Sequence, residues 1–423
     1  MEQTATLNSE IYSDSSDFER KFKVGFWLVI TVLCLLPFER LMFPFGIRVV
    51  DFALVVLILH AFIRFLILHK RIYLPLLLPA WLILVGSIIS VLNGLMHHES
   101  ILAVLQEIYI YIWFIFLTNV LIRFSQVELN KLLKIWSVIA VVEATFTVMG
   151  MLSIGPSIFY VSPVDGKILS MEGFNRGLGT YINPNAAAAY LSISFFVLLA
   201  TQWPVWLRAL FGTWLMIGIY ATGSNGGLYS TLIAFASLIV FYLAIKPQRL
   251  YLFWVIFIGV VATAFTLLVI NDFLIDPYEG GFVSENKLVT FLTTRFSRSV
   301  VDRMAIIEKA WSVYRDYPFG TGPNTSTLIY KSLHNDYFAF LIERGPLGLI
   351  GFLWIMGATL IKSLRMAYWK KDGFNCLLML SLGMGFFSCA INAFVHEITH
   401  FRQVWVLMAF IFATYFMQSH ELG

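Results

Sequence analysis

The longest polar interruption of the chain covers residues 303–348, which read RMAIIEKAWSVYRDYPFGTGPNTSTLIYKSLHNDYFAFLIERGPLG. Apolar residues around its start recur at steps of three and four, which predicts an amphipathic helix. This apolar face consists of Val300, Met304, Ile307, Trp311 and Tyr314. Pro318 ends the helix, and a GTGPN turn follows it. His334 then begins a second helical pattern, which stops at Gly345 and Pro346 and restarts as an apolar run.

The composition places this interruption in a membrane protein. Of the 423 residues, 59% are hydrophobic and only 13% are charged, which falls outside the usual range of soluble globular proteins. Apolar runs of about 20 residues, the length that crosses a hydrocarbon core, recur along the chain. We therefore predict an all-α polytopic membrane protein. It has about 12 transmembrane helices and one long extracytoplasmic loop containing amphipathic helices.

The chain divides into four predicted segments. Residues 1–23 form a polar cytoplasmic tail that closes with a basic cluster, and no cleavable leader is expected there. Residues 24–271 hold transmembrane helices 1–9, residues 272–344 form the long extracytoplasmic catalytic loop, and residues 345–423 hold helices 10–12. The three cysteines all fall in apolar runs, which indicates buried hydrophobic positions rather than a disulfide framework or a metal site.

The distribution of Lys and Arg predicts the orientation in the membrane. The tail and the short loops on its side hold 15 of these residues, whereas the opposite short loops hold five. Because positive loops stay in the cytoplasm, both termini are predicted to be cytoplasmic. The unusual loops 154–184 and 272–344 then share the extracytoplasmic side, where neither ATP nor nucleotide sugars are present. An enzyme working there needs a substrate that is already activated and delivered through the membrane.

His334 is the candidate general base. An imidazole has a pKa near 6.5, so at neutral pH it can accept a proton from a hydroxyl group. The structural alternative is a residue at a helix start, with Asn335 or Asp336 as the cap. The HEITH run at 396–400 fits the HExxH zinc pattern, but no third ligand is apparent. No metal site is therefore predicted.

Arginines are concentrated in the predicted outside loops. Guanidinium groups offer a planar donor fork that suits phosphate oxygens, which makes Arg176, Arg295, Arg298 and Arg303 candidate anion-binding residues. Pairing with lipid headgroups or with nearby acidic side chains is the structural alternative. Arg176 stands in the run GFNRGLGTYINPNAAAAYL, where Asn185 is predicted to cap the helix that follows.

Two further features allow more than one interpretation. The run TGSNGGL at 222–228 can approach a phosphate through backbone N–H groups, although a plain tight turn is favoured. Glu143 lies in the middle of a predicted span, where an acidic residue suggests function, yet one isolated acid is thin support for a transport path.

The motifs around His334 and Arg176 resemble those of a known family, the O-antigen ligase and O-antigen polymerase superfamily of bacterial membrane glycosyltransferases. The resemblance rests on His334 and Asn335 followed by Gly345 and Gly348. It also rests on the preceding helix with Arg303 and Trp311, and on Arg176 ahead of Pro184 and Asn185. One departure is that the family often has an Arg in the Ser-x-Gly turn, where this chain has Asn225. Arg295 or Arg298 would then substitute for it.

The resemblance implies transfer of a glycan from undecaprenyl diphosphate to an acceptor hydroxyl, with inversion and without a metal ion, nucleotide or other cofactor. His334 would be the base, Arg176 and Arg303 would hold the diphosphate, with Arg295 and Arg298 as further contacts, and Asn335 and Asn185 would support the site. The partners implied are the lipid-linked donor, a lipid A core or a second lipid-linked glycan as acceptor, and membrane lipids, with no nucleic acid. The implied location is the bacterial inner membrane.

Three functions remain open at this stage. A ligase is favoured because the spacing from His334 to Gly348 fits the ligase pattern and one long outside loop dominates. A polymerase would use the same donor and a second lipid-linked repeat unit as acceptor. A lipid-linked glycan transporter is disfavoured, since transporters concentrate polar groups near the midplane of repeated halves and the spans show no evident repeat.

Overall fold

The computed structural model describes residues 24–41, 48–68, 72–94, 97–161, 176–245, 306, 308–325, 333–369 and 373–420. The described residues are mostly helical, as the apolar runs predict. The ninth predicted span and most of the predicted loop 272–344 lie outside the described residues.

The helices are α1 (Val24–Leu35), α2 (Val49–Leu68), α3 (Leu77–Asn93), α4 (His97–Leu121), α5 (Gln126–Met151), α6 (Pro184–Leu199), α7 (Val205–Ala221), α8 (Asn225–Ile245), α9 (308–316), α10 (Asp336–Trp369), α11 (Gly373–Asn392) and α12 (Arg402–His420). Between α5 and α6 the short strands β1 (Tyr160–Val161) and β2 (Arg176–Gly177) pair antiparallel.

The described helices include five that are long and apolar enough to cross a membrane, namely α4, α5, α8, α10 and α11. The shorter apolar helices α1, α3, α6 and α7 accompany them. The protein is thus an all-α membrane protein. The total of about 12 spans and the segment boundaries stay predictions.

Helix α6 lies at the centre of the described bundle. It is buried along almost its whole length and packs against α5, α7, α8 and α11. Its run of four alanines lets these neighbours approach closely, since small side chains keep helix axes near one another. One group of polar side chains joins three helices inside the bundle: Ser192 lies 2.5 Å from Thr231 and 2.8 Å from Ser388. Helix α6 is therefore held in the bundle by close packing together with hydrogen bonds between helices.

Helix α10 is broken at Gly345, as the pattern Gly345-Pro346 predicts. Gly345 has φ 68° and ψ −170°, a conformation that glycine adopts readily. The break leaves a short arm, residues 336–344, ahead of the main part of the helix. Helix α3 crosses α10 at this point, because a Cβ on Gly86 would lie 2.7 Å from the carbonyl oxygen of Arg344 and 2.8 Å from the nitrogen of Gly348.

Alternate connections of the chain gather at one end of the bundle. Arg40, after α1, donates from Nε to the carbonyl of Tyr181, which precedes α6, at 2.8 Å. Arg402, at the start of α12, pairs with Asp51 near the start of α2 at 3.0 Å. We call this end the loop face. It comprises the described connections α1–α2, α3–α4, α5–α6, α7–α8, α9–α10 and α11–α12.

Helix α9 forms where the amphipathic pattern predicts it. Ala310 is fully buried and packs with Leu333 and Ile342, and the partly buried Tyr314 of the predicted apolar face packs against the same cluster. Trp311, which belongs to that face as well, is 42% exposed. The other predicted members of the face, Val300, Met304 and Ile307, lie outside the described residues.

Candidate active site

His334 stands on the loop face immediately before α10, and it is exposed. Its φ is 49°, in the left-handed region that residues other than glycine seldom adopt. Such a conformation costs about 1–2 kcal/mol, so the surrounding structure must hold it in place. The helix starts at Asp336 rather than at His334, which corrects the predicted start by two residues.

The two residues after His334 are buried and fix the start of α10. Asn335 accepts a hydrogen bond on Oδ1 from the N–H of Phe338 at 3.1 Å, which is the geometry of a helix N-cap. The carboxylate of Asp336 accepts from the N–H groups of Ile398 at 2.7 Å and Thr399 at 3.2 Å, and from the Thr399 hydroxyl at 3.0 Å. We call Asp336, Ile398 and Thr399 the Asp336 clasp. It ties the α11–α12 connection to the residue two positions beyond His334.

The clasp brings a second histidine to the first. The ring centroids of His334 and His396 lie 6.1 Å apart and the rings are almost perpendicular. His396 belongs to the HEITH run, which is not helical here. The HExxH zinc pattern requires two imidazoles one helical turn apart, and His396 and His400 are not arranged in this way. Among the described residues, no three or more His, Cys, Asp or Glu side chains are grouped so as to hold a metal ion.

Arg176, in β2, lies across the turn between α7 and α8. Its Nε donates to the carbonyl of Thr222 at 2.9 Å, and its Nη2 donates to Oδ1 of Asn185 at 3.2 Å. Gly223 has φ 61°, and a Cβ there would lie 3.3 Å from Nε of the arginine. A glycine at this position therefore serves both the backbone conformation and the approach of the guanidinium group.

Asn185 does not cap α6, contrary to the prediction. The N-cap is Asn183, whose side chain accepts from the N–H of Asn185 at 2.8 Å. The reason is Pro184, which pushes the residue before it into the extended backbone that an N-cap needs and itself suits the first helical position. Asn185 is left with its side-chain oxygen directed at Arg176.

The turn from Thr222 to Gly226 joins the arginine to the histidines. At one end Thr222 accepts from Arg176. Ser224 caps α8 by accepting from the N–H of Gly227 at 3.4 Å, so the run is the start of a helix. At the other end, a Cβ on Gly226 would lie 3.2 Å from Cδ2 of His396. Arg176 therefore contacts one end of this turn directly, whereas His334 is linked to the other end through His396.

The remaining predicted anion contacts lie outside the described residues, namely Arg295, Arg298 and Arg303. Their proposed role stays a prediction. At the turn itself, Asn225 occupies the position where the family often has an arginine, and the guanidinium that the structure places beside this turn is that of Arg176.

Two other arginines of the loop face are paired with carboxylates. Arg48 lies 2.7 Å from Glu39, while Asp51 is held by Arg402. Burial lowers the pKa of Arg48 and the adjacent Glu39 raises it, and a guanidinium stays charged in both situations.

Sequence reasoning missed a buried charged cluster beneath the GTGPN turn. Arg344 lies 2.5 Å from Glu107 and 2.7 Å from Glu343, and Ser87 donates to Glu107 at 2.8 Å. Glu343 also accepts from the N–H of Asn324 at 3.0 Å. The cluster therefore ties the turn to α3, α4 and the arm of α10. The partners are far apart in the sequence, so local periodicity gives no indication of it.

Glu143 has a structural role in the described contacts. Its carboxylate accepts from the N–H of Thr180 at 3.0 Å and from the Thr180 hydroxyl at 2.7 Å. Thr180 in turn donates to the carbonyl of Pro37 at 2.7 Å. This acid holds the connection that leads from Arg176 into α6.

Residues 209–353 match the family model described as O-antigen ligase. The matched stretch contains the Thr222–Gly226 turn, the GTGPN turn and the motif from His334 to Gly348, whereas Arg176 and His396 lie outside it. None of the curated proteins matches the chain. The family match confirms the resemblance that the sequence indicates. It supports a function of the ligase or polymerase type in general, and with it a glycosyltransferase-like activity.

Proposed function

Since residues 209–353 match the family model described as O-antigen ligase, we propose that the protein transfers a glycan from undecaprenyl diphosphate to an acceptor hydroxyl. The acceptor is a lipid A core sugar, so the reaction is that of an O-antigen ligase in lipopolysaccharide assembly. The reaction takes place at the outer face of the bacterial inner membrane, with both termini of the chain in the cytoplasm. The loop face is then extracytoplasmic.

One observation carries this proposal. Arg176 contacts one end of the turn from Thr222 to Gly226, and His396, whose ring stands beside that of His334, lies against the other end. A glycosyl transfer from a diphosphate needs an anion-binding group on the leaving-group side and a base on the acceptor side. The turn supplies a common scaffold for the two.

The chemistry assigns one role to each group. The acceptor oxygen attacks the anomeric carbon while the bond from this carbon to the phosphate oxygen breaks, which inverts the configuration. His334 takes the proton of the acceptor hydroxyl, and undecaprenyl diphosphate leaves with the bonding electron pair. Arg176 and Arg303 stabilise the charge that develops on the diphosphate, with Arg295 and Arg298 as further contacts. Neither metal ion nor cofactor takes part in this proposal.

Asn335 and Asn185 support these groups. Asn335 caps the arm of α10 directly behind the base. Asn185 accepts from the guanidinium of Arg176 and so keeps its fork beside the turn. Both are positioned by the start of a helix, a geometry more exact than that of a free loop.

The polymerase alternative uses the same donor, base and arginines, so the site itself does not separate the two reactions. The ligase is favoured by the spacing from His334 to Gly348. The transporter alternative would give the buried acids a place on a path through the membrane. Glu143 and Glu107 instead accept hydrogen bonds and pair with fixed partners, which accounts for both of them structurally.

A reconstituted reaction distinguishes the ligase from the polymerase. The purified protein receives undecaprenyl-diphosphate repeat units alone, or the same donor together with lipid A core, and the products are separated by gel electrophoresis. We expect transfer only in the presence of the core acceptor. A ladder of longer glycans formed from the donor alone would identify a polymerase, and movement of intact donor across vesicles without any new bond would identify a transporter.

A further inference from the structure

His396 is a residue of the loop face to which the proposed reaction assigns no role. It is 8% exposed, and its ring stands almost perpendicular to that of His334 at a centroid distance of 6.1 Å. Aromatic rings at this separation and angle are in edge-to-face contact. His334 is itself exposed and lies outside the helix, so burial does not fix its imidazole. Contact with a buried ring restricts its rotation.

Asp336 sets the position of His396, because it holds the chain both before and after that residue. The N–H of Asp336 donates to the carbonyl of Ala393 at 2.8 Å, and its carboxylate holds Ile398 and Thr399. His396 lies between these two attachments, and its own N–H donates to the carbonyl of Asn392 at 2.9 Å. The residue that anchors the arm behind His334 therefore also anchors the connection that carries the second ring.

Helix α8 closes the third side of His396. A Cβ built on Gly226 would lie 2.6 Å from Cγ2 of Val395, 3.0 Å from Oδ1 of Asn392 and 3.2 Å from Cδ2 of His396. Among the described residues, that Asn392 oxygen is buried without a hydrogen-bond partner. Most buried polar groups in proteins are hydrogen-bonded, so this oxygen is an exception. Only a glycine at 226 leaves room for the connection to seat against the turn.

We propose that His396 is a positioning residue, which holds the imidazole of His334 in the orientation in which it takes the proton of the acceptor. This inference rests on the proposed role of His334 as the base. His396 acts through its ring and through where the ring is held, and it does not touch the reacting atoms. Misplacement of a reacting group by about 1 Å can cost on the order of 100-fold in rate, so the loss of such a contact is measurable.

Four variants of the full-length protein, reconstituted in lipid and assayed for glycan transfer, test the inference. His396→Ala removes the ring, and we expect kcat to fall about tenfold or more, with the KM of donor and acceptor unchanged. His396→Phe keeps an aromatic edge without ring nitrogens, and it should recover most of the lost kcat. Gly226→Ala displaces the connection from the α8 side, and it should lower kcat in the same way. Gly357→Ala is the matched control, because a Cβ there meets nothing within 4 Å.

The outcomes separate the possibilities. Wild-type kcat in His396→Ala overturns the inference. A Phe variant as impaired as the Ala variant also overturns it, since the imidazole nitrogens would then act on the substrate, and so does an effect on KM alone. His334→Ala is measured alongside: full activity there overturns the proposed function itself, whereas an inactive His334→Ala with normal His396→Ala overturns only this inference. Melting temperatures identify variants that fail to fold. If neither His396 variant folds, the kcat of Gly226→Ala tests the inference in their place.

Discussion

The arginine and histidine ends of the candidate site are held in different ways. Arg176 is held directly, because its guanidinium donates to Thr222 and to Asn185 on neighbouring helix ends. His334 is exposed and adopts a left-handed backbone conformation, and the two residues after it are fixed by hydrogen bonds with Phe338 and with the α11–α12 connection. A group that binds a charge can be fixed through its own donors. A base must keep a nitrogen available for the proton, so its position depends on its neighbours.

This difference predicts how each end responds to change. A substitution at Arg176 acts at the residue itself, whereas the histidine end has two layers, the imidazole and the clasp behind it. Four measurements examine the comparison.

The first prediction is that the two ends share the extracytoplasmic side. Phe319→Cys, near the histidine end, and Ile158→Cys, near the arginine end, stand at positions that are 61% and 53% exposed. In intact spheroplasts an impermeant thiol reagent should label both and should not label Val127→Cys, which lies at the opposite end of the bundle and is 64% exposed. The unsubstituted protein controls for the native cysteines. Labelling of Val127→Cys alone would reverse the orientation and remove the site from the outer face.

The second prediction concerns the base. His334→Ala should lower the rate of glycan transfer by ~10²–10⁴-fold, the usual contribution of general base catalysis, while the amount of folded protein stays normal. The rate is measured with purified protein, donor and acceptor. His98→Ala, an exposed histidine on α4, is the matched control and should be close to wild type. Wild-type activity in His334→Ala would remove the base from the mechanism.

The third prediction concerns the fork of Arg176. Arg176→Lys keeps the positive charge and loses the planar pair of donors, so the rate should fall by roughly tenfold or more. Arg303→Lys should behave similarly. If these arginines only pair with lipid headgroups, lysine serves as well as arginine. Full activity in both lysine variants would therefore favour the headgroup interpretation.

The fourth and smallest effect concerns the second layer of the histidine end. Asp336→Ala removes the carboxylate that accepts three hydrogen bonds from Ile398 and Thr399, which should lower the free energy of unfolding by about 1–3 kcal/mol because buried donors are left unpaired. Activity should fall several-fold, less than in His334→Ala. Asp316→Ala, at an exposed aspartate of α9, is the control. Unaltered stability and activity in Asp336→Ala would show that the clasp does not support the base.

The sequence predicted the features that depend on local chemistry. The apolar runs predicted helices, and the pair Gly345-Pro346 predicted the break in α10, because glycine and proline restrict the backbone wherever they occur. The sequence also indicates His334 and Arg176, because few residue types can act as a base at neutral pH or bind a diphosphate through a planar fork. Their roles stay predictions.

The features that the sequence did not reveal depend on contacts between distant residues. The Asp336 clasp joins positions 62 and 63 residues apart, and Arg344 meets Glu107 across 237 residues. The sequence indicates His396 only as half of a zinc pattern, because its neighbour in space, His334, lies on another segment.

The break at Gly345 separates the arm of α10, which follows the candidate base, from the main part of the helix. Above the break, the arm of α10 is secured by the GTGPN turn, whose Thr321 and Gly322 N–H groups donate to the carbonyls of Ile342 and Glu343 at 2.8 and 3.0 Å. At the break itself, Gly86 of α3 lies against the backbone. The position of His334 along the bundle axis is therefore set by α3 and the GTGPN turn rather than by the length of the span below the break. We expect bilayers of different thickness, which tilt a long span, to leave this position unchanged.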